Sequence, residues 1–174
     1  MNTREIERAL SGIDCNSVGV YAADRVPRNV SLPACLIINC DTSDQPGSHW
    51  IALYIDKYAS GIYFDSFGLP PTNTHHKERI HRICKKIIYN YKCLQSLDSA
   101  VCGEYCIFFL YHISKNNDLN AFLNYFNSDT RRNDNIVRSF YKKLITKKQK
   151  KQNVKIFLNE NNIGYGVQNC RPKM

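Results

Sequence analysis

Long apolar runs are missing from this 174-residue chain, and no stretch of 18 apolar residues offers a helical membrane span. The first ten residues, MNTREIERAL, are charged and hold no apolar core, so no secretory leader is expected. Without one, the eight cysteines are expected mostly as reduced thiols rather than as a disulfide framework. CxxC pairs are lacking around Cys84, Cys93, Cys102 and Cys106, which argues against a zinc site, and no metal is expected. Acidic residues are scarce, 15 against 24 Lys and Arg, leaving a net charge of +9 that favours contact with polyanions without naming them. Only five histidines compete for any role as a proton acceptor.

What is present suits one globular domain, residues 1–174, with 43% hydrophobic residues and enough length for a real core. Asn2 to Leu10 reads as a short amphipathic helix capped by Thr3, with Ile6 and Leu10 on one face. Ser11 to Pro33 reads as irregular, and Asp24 and Arg25 there as loop surface. The apolar run ACLIINC, residues 34–40, reads as a central strand buried on both faces. Ser48 to Asp56 and Gly61 to Gly68 read as two strands joined by a short turn. His75 to Tyr91 reads as a basic helix with Ile80, Ile83, Cys84, Ile87 and Ile88 on one face, and Lys92 to Leu94 as a short strand. Asp118 to Phe126 and Asn133 to Lys147 read as helices, the second capped by Asn133 or Asp134.

The chemistry gathers around LQSLDSAVCGEYCIFFL, residues 94–110. Cys102 stands where a polar turn gives way to an apolar segment long enough for a buried helix. A thiol in the first turn of a helix feels the positive end of the dipole, which favours the nucleophilic thiolate. Gly103 is expected to leave the neighbouring backbone open to a substrate. A structural cysteine at a helix start is the competing reading. Upstream, His49 opens one strand of the hairpin and Asp65 closes the other, so an antiparallel pairing brings them to the same end. Together with Cys102 they can form nucleophile, base and orienter. Gln95 can aim an amide N–H at an oxyanion, alongside the backbone N–H of Cys102. The other candidates are weaker: His75 and His76 are placed in a polar loop and His81 on a basic helix. His112 lies about 15 Å along the helix from Cys102, and Asp56 lies roughly 20 Å along its strand from His49. Trp50 either joins the core or lines the cleft.

The sequence HW before a strand, then YFDSFG, then Q-x6-CG-x2-C resembles the adenovirus endopeptidase (adenain) family, within the clan it shares with the Ulp/SUMO proteases. The resemblance implies an α+β, papain-like cysteine protease: a small central sheet flanked by helices, with the catalytic Cys102 at a helix N-terminus. It implies His49 as base, Asp65 as orienter and Gln95 as oxyanion donor. It further implies a monomeric endopeptidase that cuts viral capsid or core precursors at Gly-containing sites during virion maturation, acting in the virion and the host nucleus, with no organic cofactor and no membrane. Aspartate followed by serine at 65–66 is the Ulp pattern, so a deSUMOylase or deubiquitinase is an alternative, as is an inactive DNA-binding virion protein.

Adenains are stimulated by DNA, and seven lysines between Lys142 and Lys155 form a cluster that either meets phosphates or simply solvates a helix. Adenains are also activated by a short peptide beginning Gly-Val-Gln that forms a disulfide with the enzyme. The tail, residues 162–174, contains GVQNCRPK, which looks similar. The enzyme cysteine of that disulfide maps to Cys84, and the tail cysteine to Cys170. The tail is therefore either an activator-like segment docking as an added strand or a terminus with a chance match.

Overall fold

The computed structural model describes residues 1–71 and 74–160, with side chains through residue 153 except at 72–75. It divides into two compact units, Met1–Tyr141 and a second beginning at Lys142.

The first unit is built on a five-stranded mixed sheet in the order β1-β2-β3-β4-β5. The strands are β1 Ser17–Tyr21, β2 Ala34–Asn39, β3 Trp50–Ile55, β4 Ser60–Phe64 and β5 Lys86–Tyr89. β2, β3 and β4 run antiparallel, while the edge strands β1 and β5 each pair in parallel. Every residue of β2 is buried, as its continuous apolar run requires. On one face, Leu36, Ile38, Ile51, Leu53, Ile55 and Tyr63 pack with Ile80 of α2 (Thr74–Ile83). On the other, Phe64 stacks on Phe109 of α3 (Cys102–Asn116) at 4.7 Å and meets Phe122 of α4 (Leu119–Leu123) edge-on. The fold is thus α+β, with helices on both faces of a small sheet. Tyr105, Cys106, Ile107, Phe109, Leu110 and Ile113 of α3 are fully buried. Each large apolar side chain among them contributes about 1.5–3 kcal/mol, which holds α3 rigidly against the sheet.

Five local expectations need correction. α1 (Thr3–Leu10) is capped by Asn2 rather than Thr3, because Asn2 and Glu5 close a reciprocal capping box. The segment read as irregular contains β1, a half-buried edge strand without clean alternation. The long basic helix stops at Ile83, and Ile87 and Ile88 enter β5 instead, drawn by parallel pairing with Gly61 and Ile62. The next segment, 92–94, is not a strand; Leu94 and Gln95 both donate backbone N–H groups to the Ser66 carbonyl, at 2.8 and 3.1 Å. α5 spans Thr130–Glu160, and its first turn is satisfied by Asp129, whose carboxylate accepts from Arg132 N. Asn133 and Asp134 lie inside that helix, fully or nearly fully buried.

In the second unit, α5 continues from Lys142 with Lys142, Lys143, Lys147, Lys150 and Lys151 exposed. Residues 162–174, with Cys170, lie outside the described residues. Among the described residues, no helix is long and apolar enough to cross a membrane.

Candidate active site

The β3–β4 register pairs Ala52 with Phe64, so the residues just outside the hairpin, His49 and Asp65, leave it at the same end. His49 Nε2 lies 3.2 Å from Asp65 Oδ1. The other ring nitrogen is left for Cys102, whose thiol and the imidazole shift each other's titration. The loop that delivers His49 is held at two points. His49 O accepts from Cys40 N at 2.8 Å, and Ser43 donates both N–H and Oγ–H to the Asp24 carboxylate at 2.7 and 2.9 Å. Asp24 is therefore a loop anchor. Phe67 packs against the imidazole, 5.1 Å between ring centres.

Cys102 is the first residue of α3 and is 9% exposed. Burial pushes its thiol up, but hydrogen bonds from His49 and from the Trp50 and Gly103 backbone outweigh it, and the thiol is held below its ordinary value. Burial likewise pulls His49 down, but the Asp65 and Cys102 hydrogen bonds and charges raise it to about 9. Opposed shifts in a contacting acid and base favour a thiolate–imidazolium pair. The other thiols near the sheet differ. Cys40 is pushed up to about 12, mainly by burial, and Cys106 is buried with its Sγ donating to Trp50 O at 3.3 Å.

Asp65 is 3% exposed and held from several sides. Its Oδ1 also accepts from Phe67 N at 2.7 Å, its backbone N–H donates to Asn90 Oδ1 at 2.9 Å, and its carbonyl accepts from Asn90 Nδ2 at 2.7 Å. Gln95 is buried, with Oε1 accepting from Ser66 Oγ at 2.8 Å and Nε2 donating to Ser99 O at 2.7 Å. A primary amide has two N–H donors, so one bond to Ser99 leaves the second for a ligand. Behind this loop, Tyr105 Oη shares its one proton between acceptors at Leu94 O (2.9 Å) and Asp134 Oδ1 (3.0 Å), and Asn133 Nδ2 donates to Leu94 O at 3.2 Å.

The expected opening at Gly103 is filled. A Cβ there would sit 2.8 Å from the Met1 sulfur, and Trp50 Nε1 donates to Met1 O at 3.3 Å. The capping box at Asn2 sets the start of α1 here, so Met1 lies beside Gly103, next to Cys102. Trp50 is neither wholly core nor free: it is half-buried and lines a cavity of about 360 Å³ with Met1, Asn2, Asn39 and Asp41.

The remaining candidates lie elsewhere. His76 belongs to α2, fully buried and stacked on Tyr63, rather than to a polar loop. His81 is exposed on the same helix, and His112 packs among Phe122 and Tyr125. Asp56 Oδ1 accepts from Tyr58 N and Ser60 N within the hairpin turn. Cys84 is 6% exposed, its thiol pushed up by burial to about 11, and its sulfur packs 2.7 Å from where a Cβ on Gly61 would stand. A partner thiol reaches it only if that sulfur turns out of the core. Among the described residues, no group of three His, Cys, Asp or Glu side chains is arranged to hold a metal ion.

Ser66, Asn90 and Phe67 are site-shaping residues that sequence reasoning missed. Ser66 stands in the YFDSFG motif, but there it signals only kinship; Asn90 carries no local signal. Ser66→Ala is expected to free the Gln95 amide and lower kcat about tenfold with little change in KM, because a mispositioned oxyanion donor weakens only transition-state contacts. Ser66→Thr, which retains the hydroxyl, should recover most of the rate, and steady-state kinetics on the pair checks this.

Residues 18–170 match the family model described as adenovirus endoprotease. No curated protein sequence matches. Among solved structures, the Chlamydia trachomatis effector protein ChlaDUB1 is similar at 16% identity and TM-score 0.52, over 67% of this chain and 56% of that one. Its fold is shared. The effector Cdu1 of the same organism, solved bound to ubiquitin, matches at 21% identity and TM-score 0.47, over 60% of this chain and 50% of that one. An ASFV protease matches at 22% identity and TM-score 0.39, over 58% and 41%. The chain therefore spans roughly half the length of the solved structures it resembles.

Proposed function

The chain belongs to the adenovirus endoprotease family, and from that premise we propose that it cleaves viral capsid or core precursor proteins at Gly-containing sites during virion maturation, with Cys102, His49, Asp65 and Gln95 as its catalytic residues. The coarser conclusion is plain: it is a cysteine peptidase acting on proteins. The observation that carries the finer one is the convergence of the Cys102 thiol, the His49 ring and the Asp65 carboxylate from three separate segments.

In the proposed reaction, the Cys102 thiolate attacks the scissile carbonyl. His49, already protonated, gives its proton to the departing amine and then takes one from the water that hydrolyses the acyl-enzyme. Asp65 keeps the ring oriented and favours its charged form. The Cys102 backbone N–H and the free N–H of Gln95 stabilise the oxyanion. The serine after Asp65 supports a second reading, an isopeptidase of the Ulp type, since here that serine holds Gln95. The test is hydrolysis by the purified full chain of peptides with Gly at P2 and P1′, against ubiquitin and SUMO C-terminal fluorogenic substrates. Preference for the peptides supports the precursor protease, preference for the modifiers supports the isopeptidase, and activity on neither ends both.

DNA stimulation, a monomeric state, action in the virion and host nucleus, and activation by a Cys84–Cys170 disulfide belong to the same proposal. The exposed lysines of α5 are its DNA contacts. Replacing Lys142, Lys143, Lys147, Lys150 and Lys151 by Gln should remove DNA stimulation while leaving DNA-free hydrolysis intact. It should also flatten the salt dependence of DNA binding by about 0.9 log units per log unit of salt for each phosphate no longer neutralised. Intact mass measured without reductant checks the disulfide: separate free thiols at Cys84 and Cys170 in a fully active enzyme remove it.

A further inference from the structure

Two cysteines with no part in the site lie against each other at the far end of the sheet. Cys15 Sγ and Cys35 Sγ are 2.8 Å apart, too close for two idle thiols and a short step from the ~2.05 Å of an S–S bond. The approach is built into the backbone. Asn16 N and Ser17 N both donate to Pro33 O, at 2.9 and 3.3 Å, and Ser31 N donates to Ser17 Oγ at 2.8 Å. The β1–β2 register then pairs Ser17 with Ala34 and Val18 with Cys35. Cys15 is half-buried and open to a reagent, whereas Cys35 is fully buried.

We infer that Cys15 and Cys35 are a built-in oxidation site, forming an intramolecular disulfide that fastens the start of the edge strand β1 to the core strand β2. The oxidant is a small-molecule disulfide of the glutathione type. The Cys15 thiolate attacks one of its sulfurs, that S–S bond breaks, one small thiolate leaves, and Cys15 carries a mixed disulfide. Cys35 then attacks the Cys15 sulfur, its proton passing to the second small thiolate as that group is expelled. Two protein thiols are oxidised and one small disulfide is reduced to two thiols.

The division of labour matches the surroundings. The hydrogen bond from Cys35 lowers the Cys15 thiol, against burial and the Asp14 charge, while that same contact and burial hold Cys35 protonated. Tyr54, a β3 neighbour of Cys35, interacts with both sulfurs, and burial keeps its hydroxyl neutral.

The site's position sets its consequence. Cys35 pairs with Tyr54 near the end of β3, whereas Asn39 at the other end of β2 pairs with Trp50 beside His49. The bond therefore does not reach Cys102. It does fix residue 15, five residues beyond the end of α1, and so tethers the helix that follows Met1, the residue covering Gly103. The inference stands independently of which substrate the peptidase cuts.

The test equilibrates the full chain in glutathione buffers of graded oxidised-to-reduced ratio, alkylates free thiols, and maps peptides by mass spectrometry. The expected result is a linked Cys15–Cys35 peptide lighter by two hydrogens, appearing at ratios where Cys40, Cys84 and Cys106 are still alkylated. The melting temperature should rise by several degrees in step with it. Cys15→Ser and Cys35→Ala should each abolish both the linked peptide and the rise. Separate alkylation of Cys15 and Cys35 at every ratio overturns the inference. So does a stable glutathione adduct on Cys15, which shows that Cys35 does not resolve it, and so does a melting rise that survives in both variants.

Discussion

Cys102→Ala is expected to lower peptide hydrolysis by about 10⁴-fold or more, with an unchanged fold, because removing a covalent nucleophile leaves only binding and oxyanion contacts. Its companion His49→Ala separates this chemistry from packing. In the wild type the thiol is held below its ordinary value and the imidazole is raised to about 9, so the charged pair persists between those two limits. Alkylation of Cys102 by iodoacetamide should therefore remain fast at pH 6.5, where an ordinary thiol near 9.0 is almost entirely protonated. Without His49, only the Trp50 and Gly103 backbone still oppose burial at the thiol, and the rate at pH 6.5 should fall by about 10²-fold or more. The alkaline side discriminates further. As pH rises through about 9 the folded imidazole loses its proton. Hydrolysis should then decline for want of a general acid, while alkylation, which needs only the thiolate, continues. The same shift has a sign for stability. A histidine raised from 6.5 contributes fully below about that pH and loses its contribution as pH rises through about 9. The pair titrates jointly, so pH profiles report it rather than either residue alone. Hydrolysis and alkylation falling together above pH 9 would contradict a preformed ion pair.

The parts of this site that were legible in the sequence are those that local pattern controls. A hairpin with strands of matched length dictates that its entry and exit share an end, so the pairing of His49 with Asp65 follows from strand pattern alone. A polar turn running into an apolar helix dictates where Cys102 sits. What escaped is non-local. β5 and the second half of the expected helix use the same isoleucines, and pairing with β4, distant in sequence, decides between them. Ser66 meets Gln95 across 29 residues and Asn90 meets Asp65 across 25, separations at which no periodicity survives. Met1 over Gly103 escaped for a related reason: a glycine beside a nucleophile shows that space exists, not what occupies it.

Asn90 carries the largest expected effect on stability. It is fully buried, and its one amide bonds the backbone N–H and C=O of Asp65 and, at 3.2 Å, the carbonyl of Lys92. It thereby ties the residue after β4 to the segment leading toward Gln95. In Asn90→Ala all three backbone groups lose their side-chain partner. Asp65 O keeps Gly68 N at 2.9 Å, but Asp65 N has no replacement in sight. A buried unpaired polar group costs about 1–3 kcal/mol, so a total near 3 kcal/mol and a melting temperature lower by about 10 °C are expected. Asn90→Asp tests the mechanism rather than the volume. One carboxylate oxygen can still accept from Asp65 N, but the other faces two carbonyl oxygens with no proton to offer, and a negative charge now stands behind Asp65. This variant should be destabilised at least as much at neutral pH and should recover on acidification, as protonation restores a donor. Tyr91→Ser, at a side chain 78% exposed on the next residue, should leave the melting temperature unchanged. Because Asp65 moves with its backbone, Asn90→Ala should also lower kcat below the melting transition and shift the alkaline limb of hydrolysis down from about 9, as the carboxylate loosens its hold on His49. A variant that melted early but kept that limb in place would show that Asn90 supports the fold without aligning the acid.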